Sequence, residues 1–84
     1  MTEHDALLAR ITINPAIFGG KPIVRGRRLA VEHVLGMLAD GATIDELLAN
    51  YDWLERDDIL ACLLYAAKRI AGETVEERID RSAA

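Results

Sequence analysis

The sequence has a single cysteine, few aromatic side chains and no long hydrophobic run. One cysteine, Cys62, excludes an internal disulfide, and its leucine neighbours favour a place in the core. No apolar segment approaches the ~20 residues that a membrane-spanning helix needs, and the first ten residues do not resemble a signal peptide. These absences predict a cytoplasmic protein without disulfides and without a membrane partner.

Residues that could support catalysis are also scarce. The two histidines, His4 and His33, lie far apart in the sequence, and neither has a partner at a metal-ligand spacing. The run from Gly19 to Lys21 lacks the other residues of a phosphate-binding loop. We therefore predict that the protein is not an enzyme and that it binds no metal or cofactor.

The charge is unevenly distributed along a chain that fits one small domain. Hydrophobic residues make up 51% of the 84 positions, which predicts a packed core. Residues 1–30 carry five basic and two acidic side chains, whereas residues 31–84 carry five basic and twelve acidic ones. Any contact with nucleic acid is therefore expected in the N-terminal third.

The pattern predicts a short β element followed by three helices. Residues 11–13 and 22–24 have the composition of short strands, and Gly19-Gly20 predicts a turn between them. Helical periodicity follows from Val31 to about Asp40, from Thr43 to Tyr51 and from about Arg56 to Ala71. We expect residues 1–10 to be loose, residues 11–72 to form the domain, and residues 73–84 to form a polar tail or a short fourth helix.

The chain resembles a bacterial and archaeal family, the domain of unknown function numbered 433. The resemblance covers residues 11–67 and is carried by these segments: Ile13-Asn14-Pro15, Gly19-Gly20-Lys21-Pro22-Ile23-Val24-Arg25-Gly26, Arg28-Leu29-Ala30-Val31, Ala39-Asp40-Gly41-Ala42-Thr43, Glu46-Leu47-Leu48, Tyr51, Leu54 and Asp58-Ile59-Leu60-Ala61. The chain departs from the family pattern at Arg27, where Thr is usual, and at Glu55, where Ser or Thr usually caps the third helix. The second departure is expected to weaken that cap by ~1 kcal/mol.

The resemblance implies a mainly α fold and a function in binding. The fold would be a three-helix domain of homeodomain-like or winged helix-turn-helix type, with a short N-terminal β element and a polar C-terminal tail. Many family members look like VapB-type antitoxins, which are encoded beside a PIN-like ribonuclease toxin. The implied function is therefore to bind and neutralise such a toxin, and to bind the protein's own promoter DNA.

A basic strip is the candidate DNA-binding segment, and it comprises Lys21, Arg25, Arg27 and Arg28. Arginine pairs well with phosphate, and the neighbouring glycines allow close approach of the backbone. The alternative is a solvated strand edge whose charges discourage aggregation. The third helix is a poor DNA reader because its first turn, Glu55 to Asp58, carries three carboxylates.

Two further segments are candidate protein interfaces. The third helix is more apolar than one stripe requires, which favours a homodimer or partner interface at Ile59, Leu60, Leu63, Leu64 and Ala67, although the protein's own core could cover them. The C-terminal segment offers Val75, Arg78, Ile79 and Arg81 for toxin binding, and the alternative there is a frayed terminus or a helix on the protein's own core.

The function predicted from the sequence is that of an antitoxin-like homodimer that holds a PIN-like ribonuclease inactive and contacts promoter DNA. The alternative is a homodimeric interaction or regulatory module that does not bind DNA. The two differ in the salt dependence of binding, because contacts between arginine and phosphate weaken steeply as the salt concentration rises.

Overall fold

Four α-helices and three short strands form the part of the chain that the structure describes. The computed structural model describes residues 2–73, 75, 78 and 79. The elements are α1 (Glu3–Leu8), β1 (Ile11–Ile13), β2 (Pro22–Val24), α2 (Val31–Ala39), α3 (Ile44–Asn50), α4 (Arg56–Ile70) and β3 (Arg78–Ile79), with a 3-10 turn at Phe18–Gly20. The predicted helical domain with a short N-terminal β element is therefore confirmed.

The three strands form one small sheet in the order β2-β1-β3. Strand β1 pairs antiparallel with β2, with Ile11 opposite Val24, and parallel with β3, with Ile13 opposite Ile79. The sequence predicts strands β1 and β2 but not β3. Residues 78–79 form a strand where the sequence suggests a tail or a fourth helix. The rest of that prediction falls largely on residues 74, 76, 77 and 80–84, which lie outside the described residues.

Helix α1 occupies part of the segment that the sequence predicts to be loose. A capping box starts it, in which the Thr2 hydroxyl accepts from the Asp5 N–H and the Asp5 carboxylate accepts from the Thr2 N–H, both at 3.1 Å. Six residues are too few for a stable isolated helix. Helix α1 is stabilised by packing against α4, a tertiary contact that local pattern does not reveal.

Helices α2, α3 and α4 follow the predicted periodicity. Gly41, with φ at +100°, takes the left-handed conformation that ends α2. A capping box starts α3, with Thr43 Oγ1 3.1 Å from the Glu46 N and Glu46 Oε1 2.9 Å from the Thr43 N. At the start of α4 the Glu55 side chain makes no capping bond, as its departure from the family pattern predicts.

The core lies between the sheet and helices α2 to α4. Its largest cluster brings Ile11 and Val24 of the sheet together with Val34, Leu47 and Ile59 of the helices. Tyr65 closes this cluster along α4. In the part of the chain described, we find no helix that is long and apolar enough to cross a membrane.

Candidate functional site

A buried ionic cluster holds the start of α4 against the sheet. The Asp58 side chain is fully buried, and both of its oxygens accept hydrogen bonds. Arg25 binds it bidentately, with Nε 2.9 Å from Oδ1 and Nη2 2.8 Å from Oδ2. Arg10 Nη1 lies 3.0 Å from Oδ1, and the Glu55 N–H lies 2.9 Å from Oδ2. We call Arg10, Arg25, Glu55 and Asp58 the Asp58 cluster.

The turn after β2 places Arg25 in this cluster. Arg25 has φ at +46°, a left-handed conformation that costs a non-glycine residue free energy and persists only where neighbouring contacts hold it. Its own N–H donates to the Arg10 carbonyl at 2.8 Å, and its Nη2 donates to the Trp53 carbonyl at 2.8 Å. The Gly26 N–H donates to the Thr12 hydroxyl at 2.9 Å. These bonds fix the backbone so that the guanidinium meets Asp58.

The contacts within the cluster favour the charged forms of Arg10, Arg25 and Asp58. Burial raises the pKa of Asp58, but the hydrogen bonds from Arg25, the Glu55 N–H and Arg10 outweigh burial and hold that pKa below its ordinary value. The pKa of Arg25 is raised by its bond to Asp58, and the pKa of Arg10 is raised by its bonds to Glu55 and Asp58. The cluster is therefore a compensated structural element with little charge left for an external ligand.

The structure divides the predicted basic strip into paired and unpaired cations. Arg25 belongs to the Asp58 cluster, and Lys21 Nζ lies 2.8 Å from Glu32 Oε1. Arg27 stacks on the half-buried Trp53 ring with its Cζ 4.8 Å from the ring centroid. Among the described residues, neither Arg27 nor Arg28 forms an ion pair, and both are largely open to solvent. We call Arg27, Arg28 and Trp53 the basic corner, and the side chains there that are open to phosphate are the two arginines.

Helix α4 leaves a row of apolar side chains in solvent. Of the predicted interface residues, Ile59 is fully buried in the protein's own core and Leu64 is half-buried. Leu60 and Leu63 are 37% and 42% exposed, and Ala67 is also exposed. Ile70, which the sequence-based interface does not include, is 87% exposed. We call Leu60, Leu63, Ala67 and Ile70 the α4 stripe.

An apolar groove of about 300 Å³ runs between α2 and α4. The sequence does not predict it. Its lining residues, which we call the α2–α4 groove, are Pro22, Val31, Glu32, Leu35, Tyr65, Ala66, Arg69 and Ile70. The i, i+4 pair of Val31 and Leu35 belongs to the predicted core stripe of α2, and only the half-buried state of Leu35 indicates that this stripe extends to the surface.

The predicted toxin-binding residues are only partly described. Val75 is half-buried and packs against the main core cluster. Arg78 and Ile79 form β3, and Ile79 is 55% exposed. Arg81 lies outside the described residues. Ile79 is therefore the member of this set whose exposed side chain the structure describes.

The free cysteine lies in the core, as its leucine neighbours predict. Cys62 is fully buried, and burial raises the pKa of its thiol to about 12, so that it stays protonated at neutral pH. Within the described ranges, no group of three or more His, Cys, Asp or Glu side chains is placed to hold a metal ion.

The fold and these surfaces define a small, mainly helical domain with a short sheet tied to its last helix by buried charge. Residues 11–66 match the model of the family described as "Protein of unknown function (DUF433)". The chain belongs to the DUF433 family, and the resemblance seen in the sequence is thereby confirmed.

The chain is also similar to two known proteins. The uncharacterized protein y4eO of Sinorhizobium fredii (strain NBRC 101917 / NGR234) is 34% identical over 56 residues, which cover 67% of this chain and 25% of y4eO. The chain therefore spans about a quarter of the length of that curated relative. The crystal structure of a DUF433 member protein from Anabaena variabilis ATCC 29413 superposes with a TM-score of 0.71 at 31% identity, covering 81% of this chain and 67% of that chain.

Proposed function

We propose that this protein is an antitoxin-like inhibitor that binds and neutralises a PIN-like ribonuclease encoded beside it, and that it acts by binding and not by catalysis. The resemblance of its family to VapB-type antitoxins supports the proposal. The structural observation that carries it is the α2–α4 groove, an apolar depression open to solvent on a chain of only 84 residues.

The groove has the properties of a protein-docking site. Its walls are apolar side chains of α2 and α4, and an ion-paired carboxylate, Glu32, lies at its rim together with the guanidinium of Arg69. Binding energy at protein interfaces concentrates where apolar anchors enter such pockets and charged groups surround them. An apolar segment of the ribonuclease is the occupant that we assign to the groove.

The C-terminal residues Val75, Arg78, Ile79 and Arg81 stay a predicted second contact. A PIN-like active site is a cluster of carboxylates around a divalent metal, so an arginine near the docked groove would pair with those carboxylates. This contact is separable from the groove, because it depends on charge while the groove depends on apolar burial.

The test is inhibition of the ribonuclease encoded beside the protein. Ala66→Glu places a charged side chain into the half-buried wall of the groove and should abolish inhibition. The matched control is Ala49→Glu, which makes the same change at an exposed position of α3 and should inhibit like wild type. Circular dichroism establishes that both variants are folded. A folded Ala66→Glu variant that inhibits fully would overturn the assignment of the groove.

Binding to promoter DNA is a second candidate function, and the basic corner is the observation that favours it. Arg27 and Arg28 are solvent-accessible cations beside an aromatic ring, which is a combination suited to phosphate and sugar contacts. The helix-turn-helix interpretation of α3 and α4 assigns DNA reading to the first turn of α4. That turn carries two carboxylates, Asp57 and Asp58, and the Asp58 side chain is already bound within the Asp58 cluster.

The test of DNA binding leaves Arg25 in place, because its removal would perturb the fold. The double variant Arg27→Ala and Arg28→Ala should weaken binding to the promoter and flatten its salt dependence, by a slope of about 1 for each phosphate that the variant no longer neutralises. Arg56→Ala is the control for reading by α4. Equal affinity and equal salt slope in the double variant and wild type would overturn the assignment of DNA contacts to the basic corner. A wild type that does not bind the promoter would favour the interaction module that does not bind DNA.

A further inference from the structure

The indole ring of Trp53 contacts two guanidinium groups. Arg25 Cζ lies 5.5 Å from the ring centroid and Arg27 Cζ lies 4.8 Å from it, both within the distance at which an aromatic face attracts a cation. Two like charges beside one ring repel each other unless one of them is compensated. Asp58 compensates Arg25, because its two oxygens accept from Arg25 Nε and Nη2 at 2.9 and 2.8 Å. Among the described residues, the charge at the ring that stays uncompensated is therefore that of Arg27.

The turn after β2 fixes the backbone from which the Arg27 side chain extends. Arg25 and Gly26 have φ at +46° and +71°, and the Arg27 N–H donates to the Val24 carbonyl at 2.8 Å. Two successive residues with positive φ inside such a hydrogen bond are the pattern of a type I′ hairpin turn. Both ends of the Arg27 side chain are therefore held, the Cα by the turn and the guanidinium by the ring.

Trp53 is itself held in place. Its carbonyl accepts from Arg25 Nη2 at 2.8 Å, and its half-buried ring packs against the main core cluster and meets the Tyr51 ring edge-to-face. A fixed ring orients the plane of a guanidinium that stacks on it, so that the N–H donors at the edge of that plane point in a set direction. Arg27 is exposed, and its donor edge is therefore already oriented for an acceptor in solution.

A phosphate group is the acceptor that this edge fits. The N–H donors of a guanidinium match two oxygens of a phosphate in parallel hydrogen bonds, and a side chain that is already held loses less entropy on binding. Arg28 is also exposed, but in the part of the chain described it contacts no aromatic ring, so that it supplies charge without a fixed direction. The two arginines of the basic corner are therefore not equivalent.

We propose that Arg27 binds a backbone phosphate of DNA bidentately and that Trp53 is the positioning residue that holds Arg27 for this contact. The inference rests on DNA binding, the second candidate function, and assigns separate roles within the basic corner. A phosphate contact fixes the position of the protein on the duplex and reads no base sequence. The alternative is that Arg27 only covers the ring with its aliphatic stem, in which case a lysine would serve equally well.

Substitutions that conserve charge test the phosphate contact. Arg27→Lys keeps the charge but removes the planar fork, and it should weaken binding to a promoter duplex by about two- to tenfold, as expected when a side chain must be ordered on binding. The matched control is Arg28→Lys, which makes the same change at the neighbouring arginine and should bind like wild type. Both variants should keep the wild-type salt slope, because the number of cations is unchanged. Equal affinities of Arg27→Lys and wild type would overturn the proposal.

Removal of the ring tests the positioning role. Trp53→Leu leaves both arginines in place and should also weaken duplex binding by about two- to tenfold at an unchanged salt slope, whereas Trp53→Phe keeps a ring and should restore most of the affinity. Circular dichroism establishes that the variants are folded, and the two lysine variants decide the proposal if Trp53→Leu does not fold. A folded Trp53→Leu variant that binds like wild type would refute the positioning role.

A duplex of scrambled sequence separates this inference from promoter recognition. A phosphate contact contributes equally to both duplexes, so Arg27→Lys should lose the same factor on each. If wild type binds both duplexes equally and Arg27→Lys is weaker on each, promoter recognition fails and the phosphate contact stands. Trp53 is the only tryptophan in the sequence, so its fluorescence reports binding at the corner and should change as duplex is added. Wild type that binds neither duplex, or that binds without a change in this fluorescence, would overturn the proposal.

Discussion

Replacing Arg25 with Met removes the bidentate partner of Asp58 while keeping a side chain of similar length. Asp58 then stays fully buried with hydrogen bonds from Arg10 and the Glu55 N–H only. Removing one partner of a buried ion pair typically costs about 3–5 kcal/mol, because the remaining charge is left without full compensation. The Arg25 side chain is 33% exposed and Arg10 remains, so we expect a loss at the low end, about 3 kcal/mol.

A loss of that size is readily measured in a small domain. Urea unfolding followed by circular dichroism gives the free energy of unfolding from the midpoint and slope. The matched control is Arg28→Met, which makes the same change at an arginine without an ion pair among the described residues and should alter stability by less than about 0.5 kcal/mol. In thermal unfolding, Arg25→Met should lower Tm by at least about 12 °C.

A double-mutant cycle separates the pair from other effects. Asp58→Asn removes the buried charge, and Arg25→Met should therefore be less damaging in that background than in wild type, with a coupling of at least ~1.5 kcal/mol. If Arg25→Met and Arg28→Met unfold at the same urea concentration, or if the cycle shows no coupling, the Asp58 cluster does not hold α4 to the sheet.

Two further predictions concern acid and the helix α2. The pKa of Asp58 is lower in the folded than in the unfolded protein, so its contribution to stability is present above its ordinary pKa of about 3.9 and disappears as the pH falls through the folded value. Between about pH 5 and pH 2, wild type should therefore lose more free energy of unfolding than Asp58→Asn in urea titrations. Parallel losses in the two proteins would contradict this. Gly36 is exposed inside α2, and no atom outside the helix backbone lies within 4 Å of the point that an alanine Cβ would occupy. Gly36→Ala should therefore raise the free energy of unfolding by about 0.5–1 kcal/mol, because alanine favours the helix over glycine. An unchanged urea midpoint would refute this reasoning.

The elements with strong local patterns are predictable from the sequence. The periodic residues Val31, Val34 and Leu38 locate α2, and the Thr43–Glu46 capping box marks the start of α3 where the structure has it. Helix α1 and strand β3 escape prediction, because each is short and depends on a tertiary partner. For α1 a local signal does exist, the spacing of Thr2 and Asp5 that forms its capping box.

The Asp58 cluster illustrates the limit of sequence reasoning at the site. From the sequence, Asp58 is one of three carboxylates in the first turn of α4, and Arg25 is a phosphate contact. At helical spacing, Asp58 shares one face of α4 with Ala61, Cys62 and Tyr65, and this face enters the core. A carboxylate that is buried there requires cations to compensate its charge. Which residues supply those cations depends on how β2 folds back to α4, and the spacing of residues along the chain does not encode that fold.

The Asp58 cluster also constrains how this sequence can diverge. Arg10 and Arg25 lie 48 and 33 residues from Asp58, so no single mutational event alters the three together. A lineage that loses Arg25 first retains a buried, undercompensated carboxylate, and one that loses Asp58 first retains two adjacent guanidinium groups. Either intermediate should be selected against, so that substitutions at positions 25 and 58 are expected to covary among homologous chains, as contacting pairs do.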